Sequence, residues 1–305
     1  MAIYSIKDLE KLSGIKAHTI RVWEQRYGII EPKRTKTNIR YYNENDLKYL
    51  LNIALLNKNG TKISKISKMS KSEIANEVAE ISEVRLDNNT QLDALTISMI
   101  EMNEFKFDKI ISTNIDQIGF ERTMIEVINP FLDKLSVLWL TGSINPAQEH
   151  FISCLIRQKL LVAIDKLPFA HNENTPKFLV FLPEGEIHEL SLLFLTYILR
   201  ERGNQVIYLG QNIPFGDLKA VYQIHQPNFI CTMVSGGFTK EPIQDYIDKL
   251  SVSFKQTHLL LSGYQVLAQP VNLPKNATVI ESFDHFIGFV EKLQPNNVYH
   301  FSNKN

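Results

Sequence analysis

The sequence predicts a multidomain chain: a small helix-turn-helix head, an all-helical middle, and a C-terminal α/β domain on a parallel sheet. Three observations predict it. Residues 1–75 hold 15 Lys and Arg against 7 Asp and Glu, a net of +8, although the 305-residue chain as a whole is neutral. Residues 92–167 repeat apolar side chains at helical spacing almost throughout. Residues 177–293 alternate short apolar runs with amphipathic ones, the pattern of strands joined by crossover helices.

In the head, Ile6, Leu9 and Leu12 share one helical face and Gly14 ends that helix. In the second helix, Ile20, Trp23 and Tyr27 fall at inward spacing, while His18, Arg21 and Gln25 share another face that is free to meet DNA. Two short helices about a glycine turn read as a helix-turn-helix. A basic, turn-rich stretch follows, with Pro32, Lys33, Arg34, Lys36 and Arg40, and then Tyr41 and Tyr42. Asn43 reads as the N-cap of a third helix through Leu47, Leu50 and Leu51. Ile63 and Ile66 turn inward in a short helix, and Lys58, Lys62, Lys65, Lys68 and Lys71 read as a solvated face. Residues 76–91 lose periodicity and are expected to form a linker. A basic head on an acidic body suggests a polyanion-binding part and a separate sensing or assembling part.

The middle, residues 92–170, reads as four helices in an up-and-down bundle. Pro130 predicts a kink or boundary within the third. Asn145 caps the fourth, with Pro146 in its first position. In residues 175–300, strands are expected at Phe178–Leu182, Gln205–Leu209, Phe229–Val234, His258–Leu261 and Thr278–Ile280. Helices are expected at His188–Arg202, Phe215–His225, Lys240–Leu250 and Asp284–Leu293. The alternation predicts a doubly wound, flavodoxin-like parallel sheet. Ligands of such folds bind outside the carboxyl ends of the strands, and the first such loop carries Glu186 and His188. An imidazole there can ligate a metal, and a nearby carboxylate can orient it through its other nitrogen. On residue type alone, this Glu-x-His reads equally as loop and cap chemistry.

Composition bounds the rest. An apolar content of 44% and a charged content of 22% suit a globular protein. No apolar run reaches the roughly 18 residues of a membrane span, and the first residues lack a signal-peptide core. Cys154 and Cys231 sit in apolar sequence and are expected as buried free thiols of a cytoplasmic protein.

The run TIRVWEQRYGIIEPKR, then RYY, then a helix, resembles the winged helix-turn-helix head of the MerR family. That resemblance implies double-stranded operator DNA as partner, with Arg21 and His18 or Thr19 in the major groove beside Gln25. It further implies backbone contacts from Arg34, Lys36, Arg40 and Tyr41 in the wing. The stretch FLVFLPEGEIHELS resembles the cobalamin-binding domain shared by methionine synthase, the methylmalonyl mutases and the CarH-type regulators. In that family the matching His is the lower axial ligand of cobalt, which implies His188 as metal ligand and Glu186 as its orienter. Ser191 stands where the family has Gly. Ser235 and Gly236 match the family's position near the nucleotide tail, and Gly263 keeps half of a Gly-Gly pair between Ser262 and Tyr264. Trp139, nine residues, then Glu149-His150 resembles the bundle that caps cobalamin in CarH-type regulators. There the Trp covers the upper corrin face and the Glu-His pair lines the adenosyl side; light-sensing members have His where this chain has Leu140.

Together these resemblances imply a regulator of the CarH and LitR group rather than an enzyme. The implied function is a transcription factor, a repressor, whose homo-oligomerisation (dimer or tetramer) and operator binding answer to adenosylcobalamin and to light. The substitutions at Ser191, Leu140, Ser262 and Tyr264 carry an alternative: a degenerate domain serving cofactor-independent oligomerisation or an antirepressor partner. A corrinoid carrier for methyl transfer is a remote third reading, because it leaves residues 1–75 without a purpose.

Overall fold

Short-range chemistry at the helix ends shapes the head. The computed structural model describes residues 3–34, 40–81, 88–140, 144–169, 175–235 and 242–293. They divide into two units, Met1–Leu155 and Ile156–Asn305.

The first unit opens with strand β1 (Ile3–Tyr4) and helix α1 (Ile6–Ser13), which is started by a reciprocal Ser5–Asp8 capping box. Gly14 ends α1 in the left-handed region, φ 69°, and turns the chain into α2 (Ala17–Tyr27). Strands β2 (Lys33–Arg34) and β3 (Arg40–Asn43) complete a small antiparallel sheet ordered β1-β3-β2. Asn43 caps α3 (Glu44–Lys58) through a second capping box, with Asp46. Then come α4 (Ile63–Ile66), α5 (Lys71–Ile81) and α6 (Asn88–Ile100).

The expected linker over 76–91 is therefore largely helical. Helix α5 persists because Ile74 and Val78 are buried, and α6 starts early because Thr90 and Gln91 are buried too. The interval between them, 82–87, lies outside the described residues. From Thr90 to Ile100 helix α6 is buried on all sides, so it lacks the one-sided stripe that marks a surface helix.

Helices α7 (Glu104–Ile118), α8 (Phe120–Thr123), α9 (Asn129–Leu140) and α10 (Pro146–Asp165) follow. A π turn, Met124–Ile128, joins α8 to α9, with the Asn129 N–H bonded to Met124 O. Pro130 explains it. It has no N–H to donate, and its ring would collide with the carbonyl four residues back, so the preceding turn widens. The expected boundary thus falls one turn before the proline.

A charged cluster ties the head to these helices. The carboxylate of Asp93, on α6, takes Lys58 Nζ from the end of α3 on one oxygen and Lys134 Nζ from α9 on the other, the latter at 3.0 Å. Lys58 is thus a bridging cation and not part of a purely solvated face.

The second unit takes the end of α10 and then alternates. Its elements are β4 (Lys177–Pro183), α11 (Leu190–Glu201), β5 (Gln205–Ile213), α12 (Phe215–His225) and β6 (Phe229–Met233). They continue as α13 (Ile243–Ser253), β7 (His258–Ser262), α14 (Tyr264–Leu267), β8 (Ala277–Val279) and α15 (Phe283–Lys292). All strand pairs are parallel, and the order β5-β4-β6-β7-β8 puts the first strand second. The chain reverses direction across the sheet between β4 and β6, and ligands of open α/β sheets bind at such a switch point.

Strand β4 is buried on both faces, which is why it reads as a continuous apolar run. Leu179 and Phe181 join Ile230, Leu259 and Leu261 against Leu218, Ile247 and Leu250 of α12 and α13. Phe178 stacks on Phe229, which meets Phe289 of α15 edge-on. Cys231 is buried as expected, and burial pushes its thiol well up. Cys154 is exposed, contrary to expectation: its apolar neighbours in sequence turn to the other side of α10. Among the described residues no helix is long and apolar enough to cross a membrane.

Candidate functional site

The head presents α2 through interactions at both its ends. No side chain of its own N-cap residue bonds the first turn; instead Glu10 of α1 accepts the Ala17 N–H at 3.1 Å and Lys16 Nζ at 3.1 Å. The Lys16 ammonium, and then that N–H, hold the Glu10 carboxyl below the usual carboxylate range. Ile20 and Trp23 are buried, Tyr27 half-buried. His18, Arg21 and Gln25 are exposed along one face, with Thr19 half-buried and its Oγ1 3.3 Å from His18 Nε2. Val22, unremarked in the sequence, stands 47% exposed among them.

Glu24, on the inner side of α2, accepts the Tyr42 hydroxyl and lies 3.9 Å from Arg40 Nε. Burial, then Glu24, raises the Tyr42 phenol far above its ordinary range. Arg40, expected on the DNA backbone, thus has its Nε directed at α2, and its side chain is two-thirds buried. Arg34 is exposed on β2, Tyr41 is half-buried on β3, and Lys36 lies outside the described residues. Sequence spacing missed Glu24 and Glu10 because each acts across a turn rather than along a helix face.

In the helical part, Glu149 and His150 open α10 after Asn145, whose side chain caps Gln148 N–H at 3.0 Å. His150 Nδ1 lies 3.4 Å from Glu149 Oε2, while Ser153 Oγ donates to Glu149 Oε1 at 2.8 Å. His150 is exposed and Glu149 half-buried. Gln148, missed in the sequence, is buried and donates to Ile100 O at 3.3 Å, tying α10 to the end of α6. Trp139 lies on α9; its side chain, like that of Leu140, is outside the described residues.

In the second unit the β4 loop lies at the switch point. Glu186 is 3% exposed, an unusual place for a carboxylate unless it is bonded. Its Oε1 accepts the backbone N–H of Ile187 at 3.1 Å and of His188 at 3.2 Å, and lies 2.7 Å from His188 Nδ1. Its Oε2 accepts Ser235 N–H, at the exit of β6, at 2.9 Å. Its carbonyl accepts Asn212 N–H, and Asn212 Oδ1 accepts Gly185 N–H at 2.8 Å. Asn212 holds φ 59°, a region asparagine enters more readily than most residues.

One carboxylate therefore joins the β4 and β6 loops and fixes the ring of His188, which is 67% exposed. With Nδ1–H donating to Glu186, the lone pair is on Nε2, the arrangement of a metal-ligating histidine. Among the described residues no group of three His, Cys, Asp or Glu could hold a bare metal ion. A single imidazole with a buried carboxylate behind it can supply one donor to a metal that brings its other ligands with it.

Ser191 lies half-buried in the first turn of α11, and Ser235 is exposed. Gly236 is outside the described residues. Gly263, at φ 98°, has an internal reason to be glycine: a Cβ there would lie 2.5 Å from Val234 O. Ser262 Oγ donates to Ile280 O at 2.7 Å, and Tyr264, which could have intruded on the edge, is 69% exposed.

Known proteins share both parts. Residues 4–73 match the family described as MerR HTH family regulatory protein, and residues 91–163, on α6 to α10, match a B12 binding domain. The chain is 25% identical to the HTH-type transcriptional repressor CarH of Myxococcus xanthus over 253 residues, 81% of this chain and 84% of that one. It is 26% identical to the repressor CarA of the same organism over 227 residues, 74% of each. A Methanosarcina barkeri monomethylamine corrinoid protein superposes with TM-score 0.53 at 13% identity, covering 67% of this chain and 98% of that one, a likeness of fold.

Proposed function

We infer the mode of action from what the chain is: a MerR-type DNA-binding transcriptional regulator, not an enzyme, joined to a B12-binding domain and similar to CarH-type repressors. The second unit is a flavodoxin-like domain whose His188 would hold the cobalt of adenosylcobalamin, with Glu186 as its orienter. Helices α6, α7, α8 with α9, and α10 would act as a four-helix cap, with Trp139 covering the corrin and Glu149 and His150 lining the adenosyl side. Ser191, Ser235, Gly236 and Gly263 flank the nucleotide tail. When bound, the cofactor supplies a cobalt–carbon bond that light can break.

The single observation that carries this reading is the exposed His188 ring backed by the buried Glu186 carboxylate. Bound cofactor would favour a homo-oligomer, dimer or tetramer, and an oligomer presents several heads to the operator. Linked heads bind through effective concentration far more tightly than one. In each head Arg21, His18 or Thr19, and Gln25 read base edges, while Arg34, Lys36 and Tyr41 hold phosphates. Arg40 joins that wing set while also bracing α2 through Glu24.

The test is colour and size. The purified chain, mixed with adenosylcobalamin in the dark, elutes from a sizing column with corrinoid absorbance, and illumination changes its elution volume. A colourless protein peak would leave a cofactor-independent MerR-type regulator. His188→Ala lowers corrinoid retention at least tenfold, in the range typical of losing a metal-site group; unchanged retention and spectrum would remove His188 from the metal. Arg21→Ala weakens operator binding by about 1–3 kcal/mol, about five- to 150-fold, with elution volume unchanged. A gel-shift titration equal to that of the parent would exclude Arg21 from base readout.

A further inference from the structure

The residue after His188 is a second nearly buried carboxylate. Glu189 Oε1 lies 2.6 Å from Arg157 Nε of α10, and Oε2 accepts the Tyr208 hydroxyl of β5 at 2.8 Å. Arg157 belongs to the same unit as the sheet. Helix capping does not account for this. Glu189 is the N-cap residue of α11, yet its side chain makes no cap bond and is turned to Arg157 and Tyr208 instead. Burial, then Glu189, holds the Tyr208 phenol protonated, so it remains a donor to the carboxylate. Main-chain bonds carry the constraint onward: Glu189 N–H reaches Ile187 O at 3.0 Å, and Glu189 O takes Leu193 N–H at 2.8 Å.

His188 is thus bracketed. Glu186 anchors the loop to the exit of β6, and Glu189 anchors it to β5 and α10. With Nδ1 held by Glu186, the position of the imidazole then follows that of the loop backbone. A metal–nitrogen bond near 2 Å tolerates displacements of only about 0.2 Å, so a shift of the loop backbone is felt at the metal.

We propose that Glu189, clamped by Arg157 and Tyr208, is a positioning residue for the His188 imidazole and makes its stand-off from the sheet edge depend on helix α10. The proposal rests on the corrinoid reading in its metal step and on this unit alone in its mechanical step. Glu189 does not touch the ring; it acts through the backbone.

The experiment uses the full chain with Arg157→Ala, Arg157→Lys and Tyr208→Phe. In the cofactor-free protein, Arg157→Ala raises hydrogen exchange at the amides of residues 187–189 at least tenfold and leaves the amides of β6 and β7 unchanged. With hydroxocobalamin as probe, the same variant binds about tenfold more weakly and loses the histidine-on spectrum at a higher pH than the parent. Arg157→Lys, which keeps the charge, falls between the two, and Tyr208→Phe shifts both readouts in the same direction by less. A lower melting temperature with unaltered exchange at 187–189 and an unaltered spectral pH profile would overturn the proposal, because a merely structural ion pair gives that result. If the parent chain takes up no corrinoid, the metal step fails with the corrinoid reading, and the exchange measurement still decides the mechanical step.

Discussion

Asp93→Ala is expected to lower the stability of the first unit by about 3 kcal/mol, the low end of the cost of breaking a buried ion pair. The Asp93 side chain is 12% exposed and pairs with two ammonium groups. Lys58 can swing toward water when released, but Lys134 is deeper: burial lowers its pKa, and Asp93 is what offsets that burial. The pH dependence follows with a definite sign. A lysine whose pKa is lowered by folding sheds its proton first in the folded state. The unfolded chain then binds more protons between the two pKa values, and stability rises with pH across that window. Without Asp93 the lowering is greater, so the deficit is full at neutral pH and narrows as pH climbs toward the ordinary lysine range. Asp93→Asn keeps one acceptor oxygen without the charge, sets an NH2 donor against the other ammonium, and should lie between. Both tryptophans, Trp23 and Trp139, lie in the first unit, so denaturant titration followed by tryptophan emission reads this loss directly. A midpoint equal to the parent's would mean that the cluster is energetically idle.

Gly263→Ala is expected to cost the second unit about 4 kcal/mol. Two strains add: a backbone region essentially closed to L side chains, roughly 1–3 kcal/mol, and a methyl driven into packed main chain, again roughly 1–3 kcal/mol. The Cβ would meet the O, C and N of Val234, and backbone cannot swing aside as a flexible side chain can. Val234 is also held by bonds to Ser262 O and from Gln265 N–H, so relief there breaks the β6–β7 exit. The loss appears in far-UV circular dichroism of the α/β unit, while the tryptophan transition stays where it was. A variant as stable as its parent would show that the approach of these two loops is looser than 2.5 Å implies.

The parts legible in the sequence are those with local period or local chemistry. Strand β4 was readable because burial on both faces leaves an unbroken apolar run, and α3 because Asn43 and Asp46 cap it three residues apart. Glu186 and His188 were readable because ligand and orienter lie two residues apart in one loop. What stayed hidden is held by distant pairings, which leave no periodic trace. Glu189 finds Arg157 and Tyr208, Asp93 finds Lys58 and Lys134, and Glu24 finds Tyr42. Arg40 shows how such a partner misleads: in sequence it is one more wing cation, and in the fold its Nε leans on Glu24. Strand β1 is two residues long and has no pattern to read, and α6 concealed its start because it is wrapped on every side.

The wide turn before Pro130 acts as slack in the chain. Such a turn absorbs one surplus residue locally, so α9 continues the bearing of α8 as though the chain were one residue shorter. An α-helix rotates about 100° per residue. Removing one residue from 124–128 would leave Lys134 still aimed at Asp93 but press the Pro130 ring back onto the carbonyl four residues before it. Removing one from 131–133 would swing that ammonium more than a quarter revolution away. A length change before the proline is thus felt at the turn itself, and one after it at the ion pair.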